Sequence, residues 1–435
     1  MSAREHEQVR AAEMIAALSL ATDLGHGADF EHGLRSALSA VRLAECLGVD
    51  DETARQTYYA SLLLYVGCTA DSYTGADAFG RDFEELWPHL EPVQYGSPLQ
   101  ALGGVARGIA PGSPPLTKAA ALARTLPRAV RHKRATFPAI CEVGAMLCER
   151  LSLPATVPPL LRHVFERWDG KGEVLHERGD EIPLPIRIAQ VADDADAQRR
   201  LGGVERAVAV VKERAGAAFD PAVANCLAQR AEHVLAGTEG SAWEAALAVE
   251  PQPQLALDGP GIDCALEAMA AFADLPSPYL AGHSSRVAEL ASEAALRIGL
   301  DDAATRRAAL VHDLGRVAVP VRIWQKRGAL TADDWERVRL HPYHAERVLC
   351  RSAFLAQLVP VAISHHERLD GSGYHRGLTA AGLSPATRVL AVADAYGAMT
   401  QPRPHRPAMA PEQAAATLAS EASAGRLDPD AVKAV

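Results

Sequence analysis

No run of eighteen apolar residues occurs anywhere in the 435-residue chain, so no ordinary membrane-spanning helix is expected. The first thirty residues lack a basic stretch followed by an apolar core, and no secretory leader is read there. Seven cysteines stand at scattered spacings without a CxxC pair, which suits reduced thiols of the cytoplasm and argues against a disulfide framework. Aromatic residues make up only 5% of the chain, and alternating strand patterns are nearly absent. Net positive charge is also missing: the balance is −10, which argues against broad nucleic-acid binding. Lysine contributes six of the 44 basic residues, a bias from which nothing functional follows. What remains is an ordinary globular composition, 48% apolar and 23% charged, long enough for two to three domains at ~100–200 residues each.

The patterns present are helical. From Ser285 to Ile298 apolar residues fall at Val287, Leu290, Ala291, Ala294 and Ile298, a stripe of helical period. Gly299 is placed to close that helix, and Asp301-Asp302 to open the next. The fold is therefore expected to be all-α. Residues 237–262, with Gly237, Gly240, Pro251, Pro253, Gly259, Pro260 and Gly261, read as a linker around a short helix. It separates domains over 1–236 and 263–435.

The two sides of this linker repeat each other. Glu166-Arg-Trp-Asp-Gly-Lys-Gly172 and Arg187-Ile-Ala-Gln-Val-Ala-Asp193 match Glu367-Arg-Leu-Asp-Gly-Ser-Gly373 and Arg388-Val-Leu-Ala-Val-Ala-Asp394, both at an offset of 201. Leu47-Gly-Val-Asp-Asp51 likewise mirrors Ile298-Gly-Leu-Asp-Asp302. The sequence reads as a tandem duplication.

The second copy concentrates the chemistry: His283, His312, Asp313, His341, His344, His365, His366, His375, Asp394 and His405. An adjacent His-Asp pair in a helix sets imidazole and carboxylate about 100° apart, able to grip neighbouring metal ions from one wall. His365-His366 supplies a second vicinal pair. Several helices each giving one or two N/O ligands is how a helical core builds a dinuclear site. A lone histidine is ordinarily a surface or core residue, and His344, His375 and His405 are read that way.

The series His312-Asp-Leu-Gly315, His341-Pro342, His365-His-Glu-Arg-Leu-Asp-Gly-Ser-Gly-Tyr374, Val392-Ala-Asp394 and Arg403-Pro-His-Arg406 resembles the HD-GYP family, bacterial phosphodiesterases of the HD superfamily that typically act on cyclic di-GMP. The likeness runs over residues 275–430. It implies an all-helical fold, a tandem HD-type arrangement with a degenerate first copy, and two or three divalent ions. Two are expected here because Tyr279 stands one turn before His283, where some of the family carry a glutamate for a third. Iron or manganese comes first, with zinc, nickel, cobalt or magnesium as alternatives. By motif position the ligands implied are His283, His312, Asp313, His341, His365, His366 and Asp394, with Asp313 bridging. The implied reaction opens cyclic di-GMP to linear pGpG with a hydroxide held between the ions. Arg316 stands where the family has lysine, Tyr374 in the substrate loop, and Arg403 and Arg406 where cations meet phosphate or guanine. Two departures touch the substrate side: Gly-Tyr-Pro reads Gly373-Tyr374-His375, and lysine has become the planar fork of arginine.

In the first copy the His-Asp pair aligns with Leu64-Tyr65 and the vicinal pair with Val164-Phe165, while Asp193, Glu166 and His32 survive. That half is expected to bind no metal and to pack, sense or dimerise. Two rival readings remain open: a di-iron oxygenase on the same ligands, and a weakly catalytic module that senses a nucleotide. The final helix begins near Leu427-Asp-Pro429, and the chain ends at Val435. This raises the expectation of a longer protein, since similar tandem proteins continue into a LuxR-type DNA-binding domain. A nucleic-acid partner is expected only in that case.

Overall fold

A computed structural model describes residues 8–93, 97–237 and 240–435. The chain is all-α, with one two-stranded exception, and divides into two compact units, one ending at Asp258 and the other beginning at Gly259.

The first unit runs through α1 (Ala11–His26), α2 (His32–Leu47), α3 (Asp51–Leu62), α4 (Ser72–Phe79), α5 (Phe83–Leu90), α6 (Pro98–Gly108), α7 (Pro115–Arg150), α8 (Leu184–Arg214), α9 (Pro221–Val234) and α10 (Trp243–Ala248). Its core gathers Leu43, Ile188, Val191, Val211 and Leu227 from α2, α8 and α9, with Phe219 from the turn between the last two. Helix α8 is broken at Gly202 and Gly203, whose backbone leaves the helical region. The stretch expected as a linker contains α10 and the strand β2 (Ala256–Leu257), which pairs antiparallel with β1 (Val9–Arg10). Glu250 ties this segment down by accepting from Arg10 Nη2 at 2.5 Å and from the Tyr59 hydroxyl at 2.8 Å.

The second unit comprises α11 (Gly259–Asp274), α12 (His283–Arg297), α13 (Asp302–Val311), α14 (Val321–Trp324), α15 (Ala332–Arg339), α16 (His341–Leu349), α17 (Ala353–Ala356), α18 (Val359–Ala362), α19 (Pro385–Thr400), α20 (Pro411–Ser423) and α21 (Pro429–Ala434). Helix α12 packs against α13 and α19. Its buried stripe is Val287, Ala288, Ala291, Ala294 and Ala295. The expected stripe ran one step too far: Ile298 is 40% exposed, because the helix stops at Arg297 and the chain turns away at Gly299, whose φ is +74°. The next helix is capped as expected, with the Asp301 carboxylate accepting from the Ala304 N–H, and Asp50 does the same for Thr53 at the start of α3. The repeated Gly-x-Asp-Asp is thus one helix-to-helix corner built twice.

Candidate metal centre

Five segments of the second unit bring their polar side chains to one point. His283 opens α12 immediately after Gly282, a residue at φ +70°. His312 ends α13, and Asp313 begins a short 3-10 turn over Leu314–Ala318. His341 is the first residue of α16, His365 and His366 follow α18, and Asp394 lies within α19. A side chain at Gly315 could not exist here: a Cβ would stand 2.0 Å from the His341 carbonyl oxygen and 2.5 Å from the Ala345 nitrogen. Glycine lets the His-Asp turn press against the start of α16, and so brings Asp313 to His341.

The imidazoles are aimed by their own backbone. His312, His341 and His365 each hold Nδ1 at 2.6–2.7 Å from the carbonyl three residues earlier, those of Ala309, Val338 and Ala362. A carbonyl only accepts, so each Nδ1 carries a proton and each Nε2 faces inward, where the neutral ring offers a lone pair. His283 is oriented by Gln401, whose Oε1 is 2.7 Å from its Nδ1, while Nε2 lies 3.1 Å from Asp394 Oδ1.

The donors form two groups, His341-His365-His366 and His283-His312-Asp313-Asp394, each with ligand atoms within 4.8 Å of one another. Asp313 faces both. Its Oδ1 is 3.4 Å from His341 Nε2 and 3.5 Å from His365 Nε2; its Oδ2 is 2.8 Å from His312 Nε2 and 3.5 Å from His283 Nε2. These approaches do not have hydrogen-bond angles: Asp313 Oδ1 and His312 Nε2 are buried without a hydrogen-bond partner, and Asp313 Oδ2 has only its ion pairs, the shortest with Arg316. Buried orphans of this kind are costly unless something else binds them. Lone pairs of imidazole and carboxylate converging without thiolate suit hard to borderline divalent cations such as iron, manganese or zinc.

The electrostatics agree with this fit. Burial alone would lower His312, yet Asp313 and Asp394 beside it push it up to about 10, so that in the cation-free chain a proton offsets their charge. Asp313 stays well below the usual carboxylate range despite burial, held there by Arg316 and His312. Burial and neighbouring cations lower His341 to about 3 and carry His366 well down, which leaves both as neutral ligands.

All seven sequence-expected ligands fall in these two groups, and His344, His375 and His405 do not. Arg316 stands at the cage, Nη1 2.5 Å from Asp313 Oδ2 and its guanidinium over the Trp324 ring at 5.6 Å. Tyr374 stacks on His366 with centroids 4.6 Å apart. Burial, with Asp394 near, raises its phenol and keeps it protonated. Arg403 is half-buried near Arg316, which together with desolvation lowers it to about 10, and its Nη1 donates to the Tyr279 carbonyl at 2.5 Å. Arg406, expected on the substrate, is placed differently. Its guanidinium donates to the carbonyls of Ala398, Met399, Gln401 and Pro407, and so folds the loop that carries Arg403. Gln401 and Trp324 were not foreseen, since neither sits in a recurrent spacing.

In the first unit the corresponding place is a cavity lined by Leu64, Tyr65, Trp87, Val164, Phe165 and Asp193 in place of the ligand set. Gly67 makes the same approach, its Cβ position 2.1 Å from the Ile140 carbonyl oxygen, so Leu64-Tyr65 stand as His312-Asp313 do and Ile140 as His341 does. The Tyr65 hydroxyl donates to Asp193 Oδ2 at 2.6 Å, and His32 Nε2 lies 3.0 Å from Asp193 Oδ1. Leu64, Val164 and Phe165 are buried beside them.

The HD domain family matches residues 267–431. The 3′3′-cGAMP-specific phosphodiesterase 3 of Vibrio cholerae is 27% identical over 414 residues, 93% of this chain and 90% of that protein. A cyclic di-GMP phosphodiesterase of Pseudomonas aeruginosa is 40% identical over 133 residues, 29% of this chain and 32% of that protein. The crystal structure of a cyclic GMP-AMP specific phosphodiesterase from V. cholerae superimposes with a TM-score of 0.65 at 24% identity, covering 98% of this chain and 97% of that one, a likeness of fold across both units. Residues 267–431 of the second unit thus match the HD domain family, and the motif series there resembles that of the HD-GYP family.

Proposed function

We propose that the chain is a metal-dependent phosphodiesterase of cyclic dinucleotides, with its chemistry confined to the second unit and 3′3′-cyclic GMP-AMP as its substrate. One observation carries the reaction class: a single buried carboxylate, Asp313, offers one oxygen to each of two histidine groups. The substrate shifts from the cyclic di-GMP expected of the sequence because the cyclic GMP-AMP enzyme matches along both units, whereas the P. aeruginosa cyclic di-GMP enzyme matches over 29% of the chain.

Two divalent cations on these ligands, iron or manganese by donor type, would generate a nucleophile from water near neutral pH and neutralise phosphoryl charge. The protein's own groups do the positioning. Arg316 presents a guanidinium beside Asp313, where a substrate phosphate exchanges for the carboxylate as its partner. Arg403 stays charged at neutral pH and holds the second phosphate or a base. Tyr374 keeps the His366 ring in plane and offers an O–H donor. The count is two ions because the position one turn before His283 is Tyr279, whose phenol is a poor ligand for a divalent ion among imidazoles. A dinuclear site is expected to release linear dinucleotide faster than it cuts it again. A cytoplasmic setting, with all seven cysteines free and no helix among the described residues long and apolar enough to cross a membrane, belongs to the same reading.

The test is metal analysis of anaerobically purified protein together with turnover of 3′3′-cyclic GMP-AMP and cyclic di-GMP. Two ions per chain and faster loss of the hybrid dinucleotide, with linear product preceding mononucleotides, is the expected outcome. Equal or preferential loss of cyclic di-GMP would restore the original substrate. No turnover of either would remove the phosphodiesterase assignment.

A further inference from the structure

The two units differ most in what joins their matching turns. In the second, Gly315 meets His341 after 26 positions; in the first, Gly67 meets Ile140 only after 73. The additional chain holds α4, α5, α6 and the first half of α7. Its charge is one-sided: between Glu91 and Glu142 there is no acidic residue, while Arg107, Lys118, Arg124, Arg128, Arg131, Lys133 and Arg134 are basic. In a chain of net charge −10, this is a local reversal of sign.

Helix α7 shows it to solvent. Arg124, Arg128 and Arg131 recur at helical spacing on one exposed face, and no ion pair joins them to a carboxylate among the described residues. On the adjoining side of the same helix Leu116 is 86% exposed and Val130 54%, with Ala123 and Pro127 exposed between them. Leu122 and Leu126 turn inward and are half-buried, which fixes the helix on the unit. A free face thus grades from apolar to cationic along several turns; the Asp71 carboxylate on its flank pairs with His132, 2.8 Å away, and among the described residues none pairs with the three arginines.

We propose that this inserted helix is a docking surface for an anionic phospholipid bilayer, on which the protein lies peripherally. An apolar edge beside an unopposed row of arginines is what an interfacial helix requires: side chains such as Leu116 and Val130 enter the acyl boundary, and the guanidiniums take lipid phosphates. Duplex nucleic acid would engage the arginines and gain nothing from exposed leucine and valine, so the apolar edge favours lipid. The absence of a spanning helix bears on crossing a membrane, not on lying against one. The acidic remainder of the chain turns the insertion, rather than any other face, towards such a surface.

Full-length protein would be co-sedimented with vesicles of phosphatidylcholine alone and of phosphatidylcholine with phosphatidylglycerol, at low and high ionic strength. Binding is expected only to the anionic vesicles, weaker at high salt. The variant Arg124→Glu/Arg128→Glu/Arg131→Glu should lose roughly a hundredfold in vesicle affinity. Leu116→Ser should lose less, and turnover of soluble cyclic dinucleotide should be unchanged in both. Should the glutamates disturb folding, Arg124→Gln/Arg128→Gln/Arg131→Gln carries the same expectation. No binding to anionic vesicles, undiminished binding by the glutamine variant, or uptake of duplex DNA in place of vesicles would each overturn the proposal.

Discussion

Asp193 in α8 and Asp394 in α19 occupy matching positions of a duplicated framework, yet their surroundings are opposite in kind. Around Asp394 the neighbours are mostly ring nitrogens, His283 at 3.1 Å in a hydrogen bond, His312 at 3.7 Å and His366 at 3.8 Å, with Arg316 Nη2 at 3.9 Å. Around Asp193 every approach is a hydrogen bond or an ion pair within the protein: Tyr65, His32 and the Ser36 hydroxyl. Three residues further on, the first unit has Asp196, which binds His32 Nδ1 and meets Arg35, Arg199 and Arg200. The second has Gly397, whose Cβ position lies 3.7 Å from the His283 ring. Against the burial that would lower it, Asp193 first and the extra carboxylate with it draw a proton onto His32 and hold its pKa well above the ordinary value. A buried carboxylate needs a cation, and the two units supply it differently. One uses imidazolium and guanidinium from its own chain alone; the other has Arg316 beside its carboxylates and adds a cluster of imidazoles able to take up an ion from solution.

The sharpest way to break this comparison is to exchange the central side chains. Asp313→Ala should abolish hydrolysis, by more than the ~10²–10³-fold that loss of a single transition-state donor costs, and should empty the centre of metal. Tyr65→Phe, at the matching place, should leave both metal content and turnover as they were. Metal retained in Asp313→Ala, or metal lost in Tyr65→Phe, would mean that the two sites have been assigned the wrong way round.

Much of this contrast was legible in the chain. The His-Asp and His-His pairs, the offset of 201 and the helix-capping Asp50 and Asp301 are local signals, because ligand pairs, turns and caps are fixed by neighbours in sequence. The all-α class followed from helical periodicity and the dearth of alternation. What was not legible depended on tertiary contact. Arg403 and Arg406 look alike in Arg-Pro-His-Arg, and only the fold of the loop gives four carbonyls to one and the neighbourhood of Arg316 to the other. Gln401 orients His283 across 118 positions, a pairing that no spacing rule announces. The first copy's His32 was readable as a survivor, but not as a trapped cation, since that depends on Asp196 one helix away.

The trapped cation gives the second prediction. In His32→Gln, two buried carboxylates lose their shared cation, and the first unit should lose about 3–5 kcal/mol of stability. The pH dependence fixes the cause. Because the folded pKa of His32 is raised, its contribution is complete below the ordinary imidazole value of ~6.5 and fades as pH climbs through the folded value. Unfolding followed through the fluorescence of Trp87, which packs against Tyr65, should show the parent losing stability as pH rises above neutrality. The variant should be weaker and flatter over the same range. Parallel curves for the two proteins would place the charge elsewhere in the network.

The smallest effect separates the two arginines that the sequence could not tell apart. Arg403→Ala should raise the KM for cyclic dinucleotide while leaving the metal content and the unfolding midpoint nearly unchanged, because the side chain gives the fold one bond, to the Tyr279 carbonyl. Arg406→Ala should do the reverse first. With four backbone carbonyls deprived of a donor, about 1–3 kcal/mol of local stability is expected to go, and any loss of affinity would follow from the loop that positions Arg403. The double variant decides between direct and indirect roles. If Arg406 acts only through Arg403, adding Arg406→Ala to Arg403→Ala raises KM no further. A further rise equal to that of the single variant would put both guanidiniums on the substrate, as the motif alone suggested.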